Sequence, residues 1–301
     1  MKNGAVAEVE KVEAAPLASK RAGISLASLW TLYALAFRQH MHGRRWMVMG
    51  VLFLLPAGLA VLIRATASQA PMIGIEFLLA FMFIPQALLP LIALVYASGI
   101  IQDEQEEQTL TYLLIRPIPR WTIYLVKLFA TLTTTVLLTS IFTVLTYIAI
   151  YAGGGTDFSI VVNRCAKAVA IHDLSVIAYC CLFGLIGLYT KRALIAGILY
   201  IGVIEGLLAN LPFGIRLITV IYYARIMAYR SMSFVVESHG HKHDMAENAW
   251  QLDVRRDPQL LEHPSMATCA IVLLAASFVF TAFGALICAR REFHVKTPEG
   301  A

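Results

Sequence analysis

Apolar runs dominate this chain, and short polar knots punctuate them. Runs of membrane length occupy about 46–63, 77–101, 122–151, 168–189, 193–211 and 266–289. Several of these runs exceed the roughly 18 apolar residues that mark a spanning helix. The pattern predicts an all-α polytopic membrane protein with about six transmembrane helices. Pro56 sits in the first run, and Pro85 and Pro90 in the second; these should kink their helices and leave carbonyls for neighbours to satisfy. The third run carries Thr131, Thr133, Thr134 and Thr135, whose hydroxyls can bond back to their own helix or across to another. Gly153-Gly154-Gly155 ends it, and Lys191-Arg192 makes a tight turn between the fourth and fifth runs.

The polar stretches predict the rest of the layout. Residues 1–23 are polar and Ala-rich, the composition of a disordered tail, and hold no apolar core with a cleavage site, so no signal peptide is expected. Residues 24–45 read as a helix with Leu29, Trp30, Tyr33 and Phe37 on one face and Arg38, His40, His42, Arg44 and Arg45 gathered at its end. That pattern fits an interfacial helix; the alternative is an early start of the first span. Between the fifth and sixth runs lies a loop, 212–264, long enough to carry structure of its own. Leu217, Val220, Ile221, Ala224 and Ala228 beside Arg225 and Arg230 predict an interfacial or re-entrant helix there. Residues 291–301 form a short polar tail.

Composition narrows the class. With 59% hydrophobic and 14% charged residues, the chain has too few charges for a water-soluble domain. Its net charge of +5 bears on orientation and anionic lipid rather than on nucleic acid. Arg38, Arg44, Arg45, Arg116, Arg120, Lys127, Lys191, Arg192, Arg290, Arg291 and Lys296 fall on one side; Arg64, Arg164 and Lys167 occupy the short loops of the other. The positive-inside rule then places both termini in the cytoplasm and the 212–264 loop outside. Cys165, Cys180, Cys181, Cys269 and Cys288 lack metal-ligand spacing and read as packing residues.

One polar connector is unlike the others. Between the second and third runs the chain reads Gln102-Asp103-Glu104-Gln105-Glu106-Glu107, then Thr109, Leu110, Leu113, Leu114, then Arg116-Pro117-Ile118-Pro119-Arg120. The three leucines share a helical face and the acids fall largely on another. Pro117 should stop the helix and Pro119 stiffen its exit. A short amphipathic helix held rigidly between two spans can transmit force; the plainer reading is a solvated acidic loop.

Glu104, Thr109, Leu110, Leu113, Leu114, Pro117, Ile118, Pro119, Arg120 and Lys127 together resemble the first cytoplasmic loop of ATP-binding-cassette (ABC) type-2 permeases. The resemblance is strong over about 30 residues and extends, through the layout of spans, over most of the chain. Gln108 departs from it, standing where the family usually has Gly. The resemblance implies an N-terminal elbow helix at 24–45 and a coupling helix between spans two and three that docks on an ATPase subunit. Glu104, Glu107, Thr109, Leu113, Leu114, Pro117, Pro119 and Arg120 would form that contact. It also implies a second permease, as a homodimer or a sister chain, and usually export.

Other candidate chemistry is sparse. No G-x-x-x-x-G-K-[ST] phosphate loop occurs, so ATP and magnesium are expected in a separate partner ATPase and no cofactor in this chain. Glu205, beside Gly202 and Gly206, is a carboxylate inside span five. It is either a pathway or gating group, or a paired structural residue on a packing face. His172 and Asp173 could pair or bind a cation, or lie at the interface before a span that starts later. His239, His241 and His243, with His263 beyond them, could hold a transition metal, or form a solvated turn. Neither a Ser-His-Asp arrangement nor an H-E-x-x-H motif is legible. The best reading is therefore a multi-pass permease subunit of the cell membrane, driven by an ABC ATPase. The alternatives are a non-transporting scaffold for such an ATPase, or an intramembrane enzyme built on Glu205, His172 and Asp173.

Overall fold

The computed structural model describes residues 26–42, 44–67, 70–100, 119–190, 192–211, 214–238, 241–250 and 263–290, without the side chains of 44, 237, 238, 241 and 242. Six helices are long and apolar enough to cross a membrane: Arg45–Thr66, Met72–Ala97, Arg120–Tyr151, Phe158–Tyr189, Ala193–Asn210 and Met266–Arg290. We call them spans one to six. The architecture is all-α and polytopic, with one small hairpin outside the spans.

Several boundaries differ from the hydropathy reading: span one ends at Thr66, not at 63, span two ends at Ala97, not at 101, and two starts move further. Span two begins at Met72, not at 77, and span four at Phe158, not at 168. The extra turns carry Glu76, Arg164 and Lys167, whose charges hide the helix from a hydropathy count. Glu76 and Arg164 satisfy each other, and the Ser231 carbonyl meets Lys167, so the helices continue through these charges. His172 and Asp173 consequently lie inside span four rather than before it.

Span four is the hub, packed against spans two, three and six. Close approach depends on glycine: a Cβ on Gly187 would strike the backbone of Ser98, and one on Gly284 would strike the Tyr124 ring. Span three uses its threonines inwardly. Thr131, Thr134, Thr135 and Thr146 donate to the carbonyls of Lys127, Ala130, Thr131 and Phe142 at 2.8–3.0 Å. These bonds let hydroxyls be buried without unmet donors. Around Pro85 the expected irregularity takes the form of a π-helical stretch, Phe77–Leu88, whose wider turn tolerates a missing donor. Span one runs through Pro56 as one helix.

The N-terminal helix, Leu26–His42, is distinct from span one and packs along span three. Leu32 and Ala36 are its buried residues; of the face read from sequence, Leu29, Tyr33 and Phe37 are half-buried and Trp30 is exposed. Tyr33 and His40 reach Thr133 and Thr131 at 3.1 and 3.2 Å.

The loop after span five folds back on the bundle. A 3-10 turn, Gly214–Ile218, leads into a helix, Val220–Ser231, packed against spans four and six. Val220 to Ala228 are all buried, so this helix is inserted, not laid on a surface by one face. Leu217 lies outside it and is exposed. A two-stranded hairpin follows, Val235–Ser238 with His241–Asp244, then the short helix Met245–Trp250. Phe234 and Trp250 pack on Phe77 of span two at ring-centroid distances of 5.2 and 5.1 Å, closing one end of the bundle.

Candidate functional site

Of the connector residues, Glu104, Glu107, Thr109, Leu113, Leu114 and Pro117 lie outside the described residues, and Pro119 and Arg120 within them. The connector's base is well defined. Pro119 is extended (φ −59°, ψ 140°) and caps span three, its carbonyl accepting the N–H groups of Thr122 and Ile123 at 3.0 and 3.3 Å. The Cys288 thiol of span six donates to the Arg120 carbonyl at 3.3 Å. Lys127 is buried and its ammonium donates to the Ile100 carbonyl, 3.4 Å away, just past the end of span two. A cation there meets the free carbonyls and partial negative charge of a helix C-terminus. Two residues earlier, Ser98 sits on Gly187 of span four. The connector therefore emerges from a base shared by spans two, three, four and six.

Glu205 lies in a π-helical turn, Ile201–Leu207, and is 1% exposed. Its Oε1 accepts the Val220 N–H and the Tyr200 hydroxyl, both at 3.0 Å; its Oε2 accepts the Ile221 N–H at 3.1 Å. Those amides are the first two of the inserted helix, so Glu205 supplies its N-terminal cap from another span. An anion at a helix N-terminus answers both the orphan donors and the dipole. Nearby, Arg225 donates to Asn210 Oδ1 at 3.0 Å. Burial lowers the pKa of Arg225, while Tyr179 and Glu205 act to raise it.

His172 and Asp173 do not pair. The His172 ring, fully buried, meets the Thr143 hydroxyl through Nδ1 at 3.1 Å. Asp173 Oδ2 accepts the Ser140 hydroxyl at 2.8 Å. His239 lies outside the described residues; His241 and His243 stand on the second hairpin strand. The Nδ1 of His263 lies 2.8 Å from the Tyr222 hydroxyl. Among the described residues no three His, Cys, Asp or Glu side chains are grouped to hold a metal.

One polar centre escaped the sequence reading. Glu76, 0% exposed, accepts from Tyr147 at 2.6 Å, from Tyr151 at 2.5 Å and from Arg164 Nε at 3.0 and 2.9 Å. A salt bridge from Arg164 Nη2 adds 2.9 Å. Arg164 also donates to the Ser233 carbonyl at 3.3 Å, and Lys167 to that of Ser231 at 3.0 Å. Spans two, three and four are thus tied to the chain that follows the inserted helix. Tyr147 and Tyr151, four apart on one helical face, were the available signal. It was missed because span two was started one residue after Glu76.

Spans one to four, the polar connector and most of span five match a known family model, described as ABC-2 family transporter protein, over residues 41–207. That is 167 of 301 residues, and it takes in spans one to four, the connector and Glu205. The chain belongs to the ABC-2 transporter family. This ABC-2 protein is a multi-pass membrane permease subunit, and permeases of the family generally work with an ABC ATPase. No curated protein matches the chain significantly.

Proposed function

We propose that this permease is one half of an ATP-driven exporter, in which a separate ATPase subunit docks on the connector at about 102–120. Glu104, Glu107, Thr109, Leu113, Leu114, Pro117, Pro119 and Arg120 form the contact; ATP and magnesium are held by the partner. Both termini and the connector face the cytoplasm of the cell membrane, with 1–23 and 291–301 as tails and the 212–264 loop outside. A second permease, another copy or a sister chain, completes the pathway. The observation that carries this reading is the connector's base. Lys127 holds the end of span two, Cys288 of span six holds the start of span three, and Ser98 bears on span four. A push on the connector would reach four spans together, which a rigid-body switch between inward and outward access requires.

At the other end, Glu205 is a gating latch in this reading: it fastens the inserted helix to span five, and Glu76–Arg164 fastens the following segment to spans two to four. The test is a bifunctional crosslink between Cys introduced at Glu107 and the partner ATPase. A product that shifts when nucleotide is trapped supports the reading. A connector that crosslinks to nothing, in a complex that still turns over ATP, contradicts it.

A further inference from the structure

Three acids lie within the spans, and the chain answers two of them from inside. Glu76 is met by two tyrosines and an arginine, Glu205 by two backbone amides and a tyrosine. Asp173 is treated differently. It is the sixteenth residue of the 32-residue span four and only half-buried. Ser140 satisfies its Oδ2, while its Oδ1, itself buried within this chain, has no hydrogen-bond partner among the described residues. The basic residues of the same span are engaged elsewhere: Arg164 on Glu76 and Ser233, Lys167 on Ser231. Beside Ser140, the side chains of Leu137, Ile141 and Val144 are exposed, so this chain leaves that side of span three open. A carboxylate with acceptor capacity to spare is costly against lipid tails; inside membranes such groups face a bundle interior or a water-filled cavity.

We propose that Asp173, oriented by Ser140, lines the translocation pathway and receives a cationic or strongly hydrogen-bond-donating group of the transported substrate. The proposal rests on the permease reading and adds a substrate chemistry to it. Glu205 does not compete for the role, because its acceptors are taken by the helix it caps.

The test uses the full chain with its ATPase in membrane vesicles, with Cys165→Ser to remove the half-buried native thiol. Ser140→Cys is treated with water-soluble methanethiosulfonates bearing either a quaternary ammonium or a sulfonate. The ammonium reagent should react faster, and the ratio of rates should fall by about tenfold or more when Asp173→Asn is added. Asp173→Cys provides a second position, which should also be reached from water. Reaction only with a lipid-soluble maleimide at both positions overturns the proposal, as does a rate ratio unchanged by Asp173→Asn. ATPase retention is scored on the same vesicles with the unsubstituted chain. Its loss counts against the permease reading, so the two failures are told apart.

Discussion

At the scale of single residues, buried charge in this protein is spent on fastening. Arg164, itself partly exposed, neutralises the fully buried Glu76, so removing the arginine strands the carboxylate. Arg164→Met should cost about 3–5 kcal/mol, whereas the pair Glu76→Gln with Arg164→Met should recover much of that loss. Thermal unfolding of the detergent-solubilised chain measures both. A double variant as unstable as the single one would mean that the arginine matters for packing rather than for charge. Glu205→Ala should cost about 1–3 kcal/mol by leaving the Val220 and Ile221 amides without acceptors. Limited proteolysis between 211 and 219 should report the release of the inserted helix. Wild-type cleavage rates would refute the capping role.

At the scale of elements, the contacts that matter are close backbone approaches and shared bases. Gly187 lets span four touch Ser98, the residue that follows span two. Gly187→Ala should therefore reduce coupled ATP turnover more than it reduces assembly, since overpacking of about 1–3 kcal/mol falls on the connector's base. Turnover per bound ATPase is the readout, and a variant that loses both in proportion would argue for a general folding defect. The same elements show how far sequence carries. Six spans were legible because each is a long apolar run, and the N-terminal helix because its basic residues gather at one end. Glu76, Arg164 and Lys167 were placed in loops because hydropathy scores a charge by its type and not by its partner. His172 and Asp173 were pushed to an interface by the same error. On the N-terminal helix, Leu29, Tyr33 and Phe37 lie half-buried while Trp30 points outward, an arrangement open to an interfacial helix. The inserted helix after Thr219 was anticipated as an element, yet its capping by a residue 15 positions earlier in span five is a tertiary fact that no local pattern encodes.

For the whole molecule, the bundle has two ends with different tasks. At one, the connector rises from four spans held together by Lys127, Cys288 and the Ser98–Gly187 contact. At the other, Glu76, Glu205 and the aromatic cluster of Phe77, Phe234 and Trp250 bind the long loop onto the spans. Between them lies a span whose middle carries Asp173. The family assignment makes this a transport subunit, and in the proposed reading the bundle is a rigid body pushed at one end and gated at the other. The most direct test of that claim is a pull-down of the chain from mild detergent, followed by an ATPase assay on what comes with it. The wild-type chain should bring down an ABC ATPase, and Glu104→Lys should release it while the permease itself stays folded. An isolated wild-type chain, or an ATPase that stays bound and fully active against Glu104→Lys, would contradict the connector's role as the site of coupling.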